Sequence, residues 1–182
     1  LTWRADPGKT EAPMQVTAHF DSSEFEQDAK IPAVCYPILE AFCQLVLEPI
    51  RAIDGGPLDI TSGYRPPEAN AAAHGVQDSE HIWTPEQIAA DFGIKPVYLN
   101  LTGMRGLFDV VRRNPAIPFH QLILEHGPTG SSIIHVSYNP AKVNARMALE
   151  GATHNDSPYS HWETAAYVSP NAHDIRDATI DL

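Results

Sequence analysis

The sequence predicts a single α+β domain. Three observations carry that reading: one long apolar stripe at helical spacing, short apolar runs bounded by glycine and proline, and a run near residue 135 whose alternate residues form two distinct faces. The stripe comes first. From Ile31 onward, Cys35, Ile38, Leu39, Phe42, Leu45, Val46 and Ile50 recur at intervals of three and four, which gives a helix one apolar side. Pro49 and Gly55-Gly56 close it. Pro57 to Thr61 then reads as a short strand, and Pro66-Pro67-Glu68 opens a short helix, because a proline in the first turn lacks only an amide hydrogen that would be unpaired there. Gly75 ends that helix.

Thr84-Pro85-Glu86-Gln87 has the form of a capping box and predicts a second helical turn after His81. Residues 89–94 read as a strand, and Met104, Leu107, Phe108 and Val111 place an amphipathic helix over 101–113. Two strands follow, Phe119 to Glu125 and Ile133 to Tyr138, joined by a Gly-, Pro- and Ser-rich link. In the second, Ile133, His135 and Ser137 share one face. A turn centred on Gly130 sets Glu125 directly opposite His135, about 5 Å away at Cβ. Ala141 to Glu150 reads as a last helix. The domain is expected over 17–150, with an extended lead-in over 1–16 and a C-terminal extension over 151–182 that carries His154, His161 and His173 at irregular spacing.

Composition narrows the function. Twelve Lys and Arg stand against 23 Asp and Glu, a formal charge of −11. A phosphate backbone would be repelled, so no nucleic-acid partner is expected. No apolar run approaches the ~18 residues of a membrane span, and the first residues lack the charged and apolar regions of a signal peptide. Cys35 and Cys43 lie eight positions apart on the predicted helix, about 12 Å at 1.5 Å per residue. That is too far for a disulfide, so both read as small buried hydrophobes.

Three residues stand out chemically: His81 after a loop, Asp91 at a strand start and His135 inside an apolar strand. Imidazole and carboxylate suit zinc, and three protein ligands are what a hydrolytic zinc site uses. Spacing alone also accommodates a hydrogen-bonded core histidine. The ordered set Ser62-Gly63-Tyr64-Arg65, Asn70, Gly75, Ser79-Glu80-His81, Ala89-Ala90-Asp91, Gln121-Leu122-Ile123 and Ile134-His135-Val136-Ser137 resembles the zinc D-Ala-D-Ala carboxypeptidase and L-alanyl-D-glutamate peptidase family. The likeness extends upstream through His19-Phe20, Glu24-Phe25, Ile31-Pro32 and residues 47–51, spans roughly residues 17 to 140, and is greatest to the branch common in bacteriophages.

That resemblance implies a hedgehog/D,D-peptidase fold, a small antiparallel sheet with helices on one face and a zinc cleft on the other. It implies one Zn2+ per chain on His81, Asp91 and His135, with the peptidoglycan stem peptide as partner. Arg65 would grip a substrate carboxylate, for which a planar fork suits better than a lysine. Ser79 would bond the substrate or orient His81, and Tyr64 would wall the cleft. Two departures stand out. His81 and Asp91 are ten apart, three more than in the family, and the extra residues are expected to bulge away as a turn. The family's catalytic carboxylate, three residues before the last histidine, is here Ser132, which cannot accept a proton as a carboxylate does. Glu125 is the expected substitute. The expected activity is hydrolysis of a D-amino-acid-containing bond, as a D,D-carboxypeptidase or an L,D-endopeptidase of lysin type. The same departures also fit a non-catalytic peptidoglycan-binding or virion structural module.

Overall fold

A computed structural model describes residues 13–73, 75–94, 103–127, 132–143 and 145–152. The apolar stripe forms a continuous helical rod: a 3-10 turn (Ala33–Cys35), α1 (Tyr36–Phe42), a π-helical turn (Cys43–Leu47) and α2 (Glu48–Asp54). Cys43, Val46 and Leu47 are buried, while Leu45, which the sequence assigned to the apolar face, is 44% exposed, because at about 100° per residue it lies well off the line of Leu39, Cys43, Val46 and Ile50. Gly55, at φ 77°, ends α2 in the left-handed conformation that favours glycine, and its amide donates to the Arg51 carbonyl at 2.9 Å. The rod Ala33–Asp54 is 22 residues long and apolar enough to cross a membrane, contrary to the sequence expectation that no stretch is. In this fold Leu39, Phe42, Val46, Leu47 and Ile50 are all fully buried in the core.

The five strands are β1 (Leu58–Ser62), β2 (Ile88–Ile94), β3 (Gln121–His126), β4 (Ser132–Tyr138) and β5 (Met147–Ala152), in spatial order β1-β2-β4-β3-β5. Neighbours run antiparallel except β3 and β5, which are parallel. The sheet is thus mixed where an antiparallel one was expected. Two further helices, α3 (Pro67–Ala72) and α4 (Gly103–Arg113), lie close to their predicted positions. Strand alternation divides the sheet. Ile88, Ala90, Phe92, Leu122, Leu124, Ile134 and Val136 join the helices in one buried cluster with Phe42, Leu107 and Val111. Truncating Phe42 or Phe92 to alanine costs about 3–5 kcal/mol in such a setting. The residues between them, Asp91, Glu125 and His135, face the other way.

Two local expectations are overturned. Residues 141–150 do not form a helix: they turn and then enter β5. Arg146 decides this, since its guanidinium lies 4.1 Å from the Phe119 ring centre and donates to the carbonyls of Ile117, of Asn114 at 3.0 Å and of Arg112 at 3.2 Å, at the end of α4. Met147 N then donates to His120 O at 2.8 Å and the open edge of β3 takes the ladder. Pairing with an edge outweighs the modest helix preference of Met-Ala-Leu-Glu. After His81 there is also no helical turn. Thr84 and Gln87 exchange backbone hydrogen bonds of 3.1 and 3.4 Å in a tight reversal that leads into β2. Residues 1–12 and 153–182, with His154, His161 and His173, lie outside the described residues.

Candidate metal centre

Asp91 and His135 are direct partners across β2 and β4, so their side chains rise side by side from the same face. His81 arrives from the loop after α3 and is fixed by backbone on both sides. Its carbonyl accepts from Arg65 N at 2.9 Å, and its own amide donates to Ser79 Oγ at 3.3 Å. Its ring Nδ1 lies 2.8 Å from the Gly63 carbonyl. A carbonyl can only accept, so Nδ1 carries the hydrogen and Nε2 of the neutral ring presents a lone pair.

That lone pair is aimed at two further polar atoms. His81 Nε2 is 3.1 Å from Asp91 Oδ1 and 3.2 Å from His135 Nδ1, and His135 Nδ1 is 2.8 Å from Asp91 Oδ1. All three residues are buried. Bonds of 2.0–2.1 Å to a tetrahedral zinc put its ligands about 3.4 Å apart, so the triangle needs only a few tenths of an ångström of expansion to hold one. One proton on His135 Nδ1 satisfies Asp91, but it leaves the His81 lone pair facing a carboxylate oxygen with nothing between them. A cation relieves that contact, and the Gly63 carbonyl is the outer partner that metal-binding histidines ordinarily have. Two imidazoles and a carboxylate are also a donor set that zinc accepts.

Arg65 completes the centre. Its Nε donates to Ser62 Oγ at 2.9 Å and its Nη2 to Asp91 Oδ2 at 3.1 Å, with Asp28 3.8 Å from Nε. Asp91 is thereby split: Oδ2 belongs to Arg65 and Oδ1 to the histidine pair. Burial pushes the Asp91 pKa up, but the positive charge and hydrogen bonds that His81 and His135 supply when protonated outweigh it and hold the carboxyl well below its ordinary range; with His81 neutral, a cation takes over that part. Nη1 of Arg65 makes no hydrogen bond among the described residues, so Nη1 and the second hydrogen of Nη2 are available to a carboxylate.

Glu125 does not sit opposite His135. The register pairs it with Ile133, and Ile123 with His135, two residues away from the expected pairing. A two-residue change of partner keeps the face, because side chains alternate with a period of two. Glu125 therefore stays on the His135 side, diagonal to it. Burial and the Asp91 charge raise its pKa to about 7, against the opposing effects of His135 and Arg65. Ser132 is three residues from His135 and hence on the other face, where its hydroxyl lies 3.0 Å from His126 Nδ1.

Residues 82–87 form a reversal exposed at its tip, Pro85 and Glu86, and anchored by buried Trp83, whose Nε1 donates to Ala89 O at 3.0 Å, and His81 reaches Asp91 across it. The Tyr64 ring packs 5.9 Å from that of Trp83. Ser79 braces the His81 backbone and borders a cleft of about 290 Å³ that also touches His135. Sequence reasoning missed the buried pair Glu80 and His120, with His120 Nδ1 2.9 and 3.0 Å from the two carboxylate oxygens. Nor did it reveal the Ser62 hydroxyl or the Gly63 carbonyl, since a backbone acceptor leaves no mark on residue identity.

Residues 18–104 match the family model described as Peptidase M15. The match takes in Arg65, His81 and Asp91 and ends before His135, which the β2–β4 pairing brings to them. No curated protein matches the chain.

Proposed function

From the membership of residues 18–104 in the Peptidase M15 family, we propose that this chain is a zinc-dependent peptidase that hydrolyses a D-amino-acid-containing peptide bond of bacterial peptidoglycan. The observation that carries the reading is the buried triangle of His81 Nε2, Asp91 Oδ1 and His135 Nδ1, with edges of 2.8–3.2 Å. The earlier resemblance to the bacteriophage branch extends the proposal to a lysin-type role, as a D,D-carboxypeptidase or an L,D-endopeptidase.

Zinc held by those three atoms supplies Lewis acidity, the polarising power that opens a peptide carbonyl to attack. The chain's own residues do the rest. Arg65 receives a substrate carboxylate on Nη1 and Nη2 and sets the scissile bond against the centre, while its tie to Asp91 keeps that ligand from rotating. Glu125 is the general base. Burial and the Asp91 charge raise its pKa to about 7 in the metal-free protein, which makes it a stronger proton acceptor than an ordinary carboxylate. It returns that proton to the departing amine nitrogen, so that one water is consumed and one carboxylate and one amine are released. Closed packing around His81 and Asp91 keeps bulk water from their donor atoms.

Purified muropeptides incubated with the protein and followed by mass spectrometry test the reading. A fragment released by the wild type should disappear with a chelator and return with added zinc. Glu125→Gln should keep its zinc and lose about 10²–10⁴-fold in kcat. Binding of muropeptides without cleavage would make the chain a recognition module instead.

A further inference from the structure

The loop that delivers His81 is fastened on one side by local bonds. Gly75 N donates to Asn70 O at 2.8 Å, Asn70 Nδ2 to Val76 O at 2.8 Å, Ser79 N to Val76 O at 3.1 Å and Arg65 N to His81 O at 2.9 Å. Each of these stays within residues 63–82. His135 stands on β4, across the metal triangle. Two segments that share a metal with no other tie between them must be ordered by the ion itself, and that ordering is subtracted from affinity.

Glu80 supplies the missing tie. Its side chain leaves the loop one residue before His81, and its two carboxylate oxygens lie 2.9 and 3.0 Å from His120 Nδ1. An ionised carboxylate only accepts, so Nδ1 carries the hydrogen. His120 is fixed by backbone on both sides, its N donating to Ser137 O of β4 at 2.9 Å and its O accepting from Met147 N of β5 at 2.8 Å. Ser137 follows His135 by two residues on one strand, about 7 Å along it. The path from His81 through Glu80, His120 and Ser137 to His135 therefore closes into a ring, with the metal triangle as its last link. Apart from that triangle, the Glu80–His120 contact is the hydrogen bond that joins residues 75–82 to β3 and β4 among the described residues.

Stability does not explain the pair. Both residues are 6% exposed, and apolar side chains packed in place of a buried ion pair are commonly as stable or more so. What apolar packing lacks is a fixed direction. We propose that Glu80 and His120 are positioning residues: their buried hydrogen bond holds the His81 loop against β3 and β4 and so sets the spacing of His81 Nε2 from His135 Nδ1 before any ion arrives. The inference rests on the metal reading above and gives these two residues a part in zinc affinity that no ligand atom supplies.

Three measurements test this together: zinc affinity by competition with a chromophoric chelator, urea unfolding of the metal-free protein, and visible absorption of the cobalt(II)-loaded protein. Glu80→Leu combined with His120→Leu should leave metal-free stability equal or higher and weaken zinc about tenfold. It should also alter the cobalt bands, which report the geometry of the ligand set. Glu80→Gln, whose amide oxygen still accepts from His120 Nδ1, should stay within about twofold of the wild type. His120→Asn against His120→Leu repeats the comparison from the other partner, since the asparagine amide keeps a donor and leucine does not. An unchanged zinc affinity in the leucine pair, an equal loss in Glu80→Gln, or a loss of metal-free stability that matches the loss of zinc would overturn the inference and leave the metal centre standing. If the leucine pair does not fold, equal zinc affinities for His120→Asn and His120→Leu overturn it. A wild type that binds no zinc removes the metal reading and this inference together.

Discussion

Glu125→Gln in the metal-free protein has an effect on stability that can be worked out from the structure. Glu125 is 9% exposed, and its pKa is raised from 4.5 to about 7 by burial and by the charge of Asp91. A carboxyl raised on folding contributes stability that is fully present below its unfolded value and is lost as the pH rises through the folded one. The window is therefore pH 4.5 to 7. A shift of about 2.5 units at about 1.36 kcal/mol each amounts to about 3 kcal/mol lost by the wild type across it. Glutamine has the same shape and does not titrate, so the other ionisable groups cancel in the comparison. Urea unfolding in chelator should find the two proteins alike at pH 4. At pH 8.5 the Gln variant should be more stable by about 3 kcal/mol, a midpoint shift of about 1–2 M for a chain of this size. A difference that is the same at both pH values, or a variant weaker at pH 8.5, would refute the idea that Glu125 is forced to ionise in a desolvated place beside Asp91.

Other consequences concern the metal and its supports. His81→Ala and His135→Ala should each reduce bound zinc from about one per chain to near zero in elemental analysis, because two ligands do not hold a structural or catalytic zinc at ordinary concentrations. Zinc at a hundredfold excess over its dissociation constant should stabilise the wild type by about 2.7 kcal/mol in thermal unfolding and leave those variants unmoved. Gly63→Ala is expected to lower zinc affinity about 10–100-fold in a competition titration. A Cβ there would meet the Phe25 carbonyl at 2.5 Å, and the Gly63 carbonyl that orients His81 must shift. Arg65→Lys keeps the charge but loses the planar contacts to Ser62 and Asp91. It should raise KM at least about tenfold for a carboxylate-bearing peptide and much less for its amide; equal losses on both would mean that Arg65 acts only through Asp91.

Glu125 and Ser132 separate what patterning can establish from what it cannot. Alternation put Glu125 on the face of His135 whichever residue it paired with, because a register error of two residues preserves the face. The partner itself depended on the register between β3 and β4, which the number of residues linking two strands does not fix. The helical rod shows the same division. Its existence was legible in spacings of three and four, but which of two adjacent apolar lines faces the core was settled by packing, which buries Cys43 and Val46 and leaves Leu45 exposed. β5 was illegible for a different reason: Met-Ala-Leu-Glu has no strand pattern, and only the unpaired edge of β3 and the clasp of Arg146 on the end of α4 make it one.

By itself, the sequence determined the helical rod, α3 and α4, four of the five strands and the two buried thiols, because periodicity and residue chemistry are local properties that survive without knowledge of the partner; it pointed to the three metal candidates only through the family resemblance. Tertiary structure alone decided that His81, Asp91 and His135, up to 54 positions apart, meet within 3.2 Å, and that Arg65 divides the Asp91 carboxylate between two tasks. Those are contacts between distant strands and loops, and they exist only once burial of the core face has chosen which strands lie side by side.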